Sequence, residues 1–148
     1  PTATHGWRET LTTLSARLRA GRQRASVGPQ DLPAALARAE AITDDRSRSA
    51  ALTALVPHLS TAVQLGQALA VTPYGDRKLL CAVILRADAV VSDDAAFTGL
   101  LRRAVRCGGR ATCTAVLAAA LNRLVAVAGE DATERLAAAL RDVHRWWP

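Results

Sequence analysis

An all-α fold of seven or eight antiparallel helices, stacked as helical hairpins in a short solenoid or a closed bundle, follows from three observations on this 148-residue chain. Half of the residues are hydrophobic, and nearly all of that half is Ala, Leu and Val, with one Phe, one Tyr and three Trp. Ala, Leu and Arg are strong helix formers, and no run of β-branched or aromatic residues alternates with period two. Third, the segment Ala39–Leu55 is echoed about 29 residues later by Ala68–Ile84, each time as a small-residue stretch, a polar turn and an apolar helical stripe.

Each element has its own signature. Trp7, Leu11, Leu14 and Leu18 fall at helical spacing and define a first helix over about 5–20, with Arg8, Glu9, Arg17 and Arg19 on its other side. Residues 21–31 are polar and basic with a Gly28-Pro29 break, the signature of a mobile linker. Pro33 at a helix start then precedes the stripe Leu32, Ala35, Leu36, Ala39 and Ile42. Thr43-Asp44-Asp45 caps the next helix, striped by Leu52, Leu55, Val56 and Leu59 and closed near Pro57.

Ser60 or Thr61 caps a helix through Leu65 and Leu69, which Pro73-Tyr74-Gly75 breaks. From Asp76 a helix apolar on most sides runs through Leu79, Leu80, Val83 and Ile84, a pattern that predicts a central position. Ser92-Asp93-Asp94 caps the stripe Phe97, Leu100, Leu101, Ala104 and Val105, and Gly108-Gly109 ends it. Cys113, Val116, Leu117, Ala120, Leu121, Leu124 and Val125 form one uninterrupted core-facing pattern closed by Gly129. Asp131 with Glu134 reads as a capping box for a last helix over 130–146. The expectation is one domain over 1–148, with helical hairpins over about 32–128.

The residues Ala35-Leu-Ala-Arg-Ala-Glu-Ala-Ile42, then Asp44-Asp-Arg-Ser-Arg48, then Ala51-Leu-Thr-Ala-Leu-Val-Pro-His-Leu59 resemble degenerate HEAT and TPR-like α-solenoid repeats. The resemblance covers about residues 32–87, and the unit from Ser92 to Ala128 departs from its register. It implies a scaffold that binds proteins along one face, often as a part of a bacterial regulatory or defence protein.

Charge narrows the partner classes. The net charge is +6, and 18 of the 19 basic residues are Arg, a balance that favours approach to nucleic acid, anionic surfaces or acidic proteins. Arg17, Arg19, Arg22 and Arg24 cluster around the linker, and Arg102, Arg103, Arg106 and Arg110 form a second cluster with no acid between them. These eight, with Trp146 and Trp147 at the end of the chain, are the candidate partner-binding residues. The aromatic residues that would stack on bases are nearly absent, and no helix-turn-helix signature stands out.

Chemistry finds little support in the residues. The acidic doublets Asp44-Asp45 and Asp93-Asp94 could serve as paired carboxylates in an all-α enzyme, yet each stands where capping alone explains it. Cys81, Cys107 and Cys113 are odd in number and include no CxxC pair, and His5, His58 and His144 lack a metal-ligand or nucleophile-pairing spacing. Gly108-Gly109-Arg-Ala-Thr lacks the Lys and the spacing of a phosphate loop. Hence no cofactor and no metal are expected. The thiols suggest a reducing, cytoplasmic setting, and the apolar run Leu79–Leu85 is far below the roughly 20 residues of a membrane span. The expectation is a protein-binding adaptor. Nucleic-acid binding is the first alternative and an enzyme using the acidic doublets the second, with homo-oligomerisation left open.

Overall fold

Backbone donors at a helix start need an acceptor, and this sequence supplies one at four successive starts. In the computed structural model, which describes residues 31–146, Asp44 accepts from the Ser47 amide at 2.7 Å and opens Asp45–Leu55. Thr61 accepts from the Gln64 amide while the Gln64 side chain returns to the Thr61 amide, a capping box opening Ala62–Val71. Asp76 caps Arg77–Val90 through the Leu79 amide, and Asp93 caps Asp94–Arg106 through the Ala96 amide.

Eight α-helices result among the described residues: α1 (Leu32–Glu40), α2 (Asp45–Leu55), α3 (Ala62–Val71), α4 (Arg77–Val90), α5 (Asp94–Arg106), α6 (Arg110–Ala119), α7 (Leu121–Ala128) and α8 (Glu130–Trp146). No strand occurs among them. Pro57 sits in a 3-10 turn, Val56–His58, that closes α2 as its fixed φ demands. The first-helix stripe at Trp7–Leu18 and the basic linker lie outside the described residues.

The helices pair in chain order, α1 with α2, α3 with α4, α5 with α6 and α7 with α8. Between pairs, α1, α3 and α5 lie side by side in one row, and α2, α4 and α6 in the other. The apolar stripes meet between the rows. Leu52, Leu59, Leu65, Leu79, Leu80, Val83, Ile84 and Val116 are fully enclosed, joined by Phe97, Leu100, Leu101 and Ala104 of α5. Helix α4 is the central element predicted from its composition, in contact with α2, α3, α5 and α6.

Two features depart from the sequence expectation. The single helix expected from Cys113 to Ala128 is two, α6 and α7, inclined by 65° across Ala120. No Pro or Gly marks the break; Ala120 leaves helical geometry at φ −90°, ψ −2°, and its amide is shared among the carbonyls of Val116, Leu117 and Ala118. The core-facing pattern expected from Cys113 to Val125 stops at the bend: α7 buries none of its residues, and Leu121 is 41% exposed. The last helix starts at Glu130 directly after Gly129, whose φ of +76° a glycine adopts without strain. Asp131 therefore lies inside the first turn, where its charge favours the positive helix end, and not at the cap.

What places α7 is Arg123. Its guanidinium, only 11% exposed, donates to the Val91 and Ser92 carbonyls at the end of α4, pairs with Asp94 at 2.8 Å, and lies 4.4 Å from the centre of the Phe97 ring. Helix α8 in turn packs chiefly on α7. We predict that Arg123→Ala lowers unfolding free energy by about 1–2 kcal/mol, because the Val91 and Ser92 carbonyls and the Asp94 carboxylate lose a charged donor together. Arg123→Lys recovers only part, lacking the planar fork. Urea denaturation measures both, and a loss below about 0.5 kcal/mol would reduce Arg123 to an ordinary surface ion pair.

Candidate functional site

The outward surface of the α1–α3–α5 row holds an open concavity between α3 and α5. Helix α3 lines it with Ala62, Val63, Gly66, Gln67 and Ala70, and α5 with Ala96, Gly99, Leu100 and Arg103, around an open groove of about 500 Å³. The walls are low because the residues are small. A helix interior disfavours Gly by about 1 kcal/mol relative to Ala, so Gly66 and Gly99, both mid-helix, mark places where something other than helix propensity set the residue. At Gly66 a Cβ would make ordinary contacts, 3.4 Å from the Arg103 Nη1 and 3.7 Å from Leu100 Cδ2. At Gly99 a Cβ would meet nothing within 4 Å.

Two properties set this groove apart from a solvated helix face. Val63 on its rim is 71% exposed, although Val is ordinarily an interior residue. Arg103, the only charged residue lining it, lies across α3 with no hydrogen-bonding or ion-pair partner among the described residues. A second, smaller groove of about 130 Å³ adjoins along Gln67, between Pro33, Leu36, Ala37 and Glu40 of α1 and Val71 of α3. The row thus offers a continuous furrowed surface, acidic near Glu40 and basic at Arg103.

Of the sequence candidates, Arg102, Arg103 and Arg106 are exposed on α5, and Arg110 is exposed as the first residue of α6, beyond the Cys107–Gly109 turn. Only Arg103 lines the groove. Arg17, Arg19, Arg22, Arg24 and Trp147 lie outside the described residues. Trp146 is the last residue of α8. The groove itself was not legible as a site, but the isolated glycines inside two helical patterns were the available signal for it.

The acidic doublets are engaged in structure. Asp44 and Asp93 cap their helices, Asp45 pairs with Arg48, and Asp94 pairs with Arg123. They stand at the starts of two different helices, α2 and α5, and do not line the groove. No group of three or more His, Cys, Asp or Glu suited to a metal ion occurs among the described residues. Cys81, Cys107 and Cys113 are free and half-buried. No single described helix is long and apolar enough to cross a membrane. Comparison with family models, curated proteins and solved structures returns no match.

Protonation follows the local contacts. The Ser47 hydroxyl and amide hold the Asp44 carboxylate below its ordinary value of 3.8. A depressed carboxylate contributes stability above the unfolded value and loses it as pH falls through the folded one. Helix α2 therefore weakens in acid below about pH 4, and Asp44→Asn, which caps without titrating, removes this component. Carboxyl NMR titration checks it; a midpoint at or above 3.8 would contradict the contact. Burial raises the Cys81 and Cys113 thiols, with Arg77 opposing at Cys81. Both are expected to alkylate more slowly than a free peptide thiol at neutral pH, and iodoacetamide kinetics equal to the free thiol would refute this.

Proposed function

We propose that this chain is a protein-binding adaptor whose docking surface is the α1–α3–α5 row, centred on the α3–α5 groove. The observation that carries the reading is an apolar furrow floored by Gly66, Ala62 and Ala70, with Val63 standing exposed on its edge. Side-by-side helices with small residues leave depressions the width of a side chain or a helix, and stacked helical hairpins use such rows to hold extended or helical partners. The carboxylates that an enzyme reading would need cap helices or pair with arginines, which favours binding over catalysis for the described residues.

The arginines Arg102, Arg103 and Arg106 give nucleic acid its place as the rival ligand. The groove floor favours protein, since it offers apolar surface and no aromatic ring on which a base could stack.

A photo-crosslinking residue at position 63, compared with one at Ala54 on the exposed side of α2, tests the reading in lysate of the native host. Position 63 should yield a discrete protein adduct that position 54 does not. Equal or absent protein adducts at the two positions would set the proposal aside.

A further inference from the structure

The groove also constrains the chemistry of its occupant, and the inference that follows rests on the protein-docking reading above. Its α3 wall is 10 residues long, about 15 Å at 1.5 Å per residue, which matches nearly three turns of a docked helix. Ala62, Gly66 and Ala70 recur every four residues along it, and Gly99 opens the opposite wall. Small residues on that repeat let a helix axis approach to the short end of the usual 8–10 Å range. Val63 then meets the flank of the incoming helix instead of water.

Arg103 decides the charge. Its guanidinium lies against Gly66 in an otherwise uncharged groove. Any partner that fills the groove strips water from this cation, and leaving a charge desolvated and unpaired is strongly unfavourable. No acidic residue lines the groove to compensate it, so the partner must bring the carboxylate. Arg suits that task better than Lys, since its fork grips a carboxylate through two parallel hydrogen bonds. Arg102 and Arg106 are exposed on the same helix, with no acidic residue after Asp94, and they bias encounter towards the same sign.

We infer that the α3–α5 groove is the docking site of an acidic amphipathic helix from a partner protein, its small apolar stripe laid on Gly66 and a carboxylate paired with Arg103. A phosphodiester backbone shares the attraction to arginine but would set its charges over Ala, Gly and Val. That makes nucleic acid a distinguishable outcome of the test.

The test is selection from a displayed library of random helix-forming peptides against the full chain. Enriched peptides should combine an i, i+3/i+4 apolar stripe with Asp or Glu at a fixed offset. Their affinity should fall by about tenfold or more for Arg103→Glu and recover when the peptide acid is replaced by Lys. Gly99→Leu should abolish binding by filling the groove. A Cβ at position 99 meets no neighbour within 4 Å and leucine has the better helix propensity, so the variant is expected to keep its fold. Thermal melts verify that. Failure to enrich any peptide, or enrichment of peptides without acids and indifferent to Arg103→Glu, overturns the inference. In the second case, sensitivity to Gly99→Leu would keep the groove as a protein-docking site while discarding its acidic partner. A DNA duplex that binds the chain, loses binding with Gly99→Leu and displaces the peptides would overturn both.

Discussion

Orphan backbone groups at the ends of helices are the constraint around which this molecule is arranged, and they are satisfied across the boundaries between hairpins. Arg86 of α4 donates to the Leu59 carbonyl in the turn that leads from the first hairpin into α3. Arg123 of α7 donates likewise to the Val91 and Ser92 carbonyls in the turn between α4 and α5. Between these, the Ser49 hydroxyl donates to Asp76 at the start of α4, and the Gly75 amide donates to the Cys107 carbonyl at the end of α5. Hydrogen bonds thus run between hairpins as well as within them. A pair of short helices could not bury its apolar stripe alone, and here it could not satisfy its polar ends alone either, so apolar and polar requirements both select stacking.

Composition explains the rest of the packing. With Phe97 the only aromatic side chain in the buried core among the described residues, volume must be filled by Leu, Val and Ile on helices that approach closely, and Ala68, Ala87, Ala104 and Ala120 are fully buried where they do. The same economy operates on the outer surface of the α1–α3–α5 row. There, small residues meet no further helix among the described residues, and the result is a furrow instead of a contact. Core and groove are therefore one consequence of an alanine-rich sequence, read from opposite sides of α3 and α5.

Much of this was legible beforehand. Helix class, the caps at Asp44, Thr61, Asp76 and Asp93, and the central position of α4 follow from local patterns that the fold leaves intact. The apparent period of 29 residues was less faithful. Corresponding helices are offset by 30 residues from α1 to α3 and by 32 from α2 to α4, because α3 and the turn after it are each one residue longer than their counterparts. The bend at Ala120 was invisible, since a long-range anchor at Arg123 fixes the direction of α7 and no local residue announces it. Arg103 appeared in the sequence as one of four clustered arginines. Only tertiary placement separates it from Arg102 and Arg106, setting it against Gly66 of another helix.

That distinction bears on how the net charge of +6 should be understood. Among the described residues the aspartates are largely spent on structure. Asp44, Asp76 and Asp93 cap helices, while Asp45 and Asp94 pair with Arg48 and Arg123. Arginines that answer carbonyls or aspartates, such as Arg48, Arg86 and Arg123, are likewise consumed. On the exposed side of α5, Arg102, Arg103 and Arg106 stand where no acid follows Asp94. Positive charge on a solvated helix is weakly informative, because water and salt screen it. Positive charge laid over a small-residue apolar floor is a different object: it lies where a docking partner would exclude water, and its free energy then depends on what that partner carries. The site is specified less by the number of arginines than by the one whose surroundings a partner would make dry.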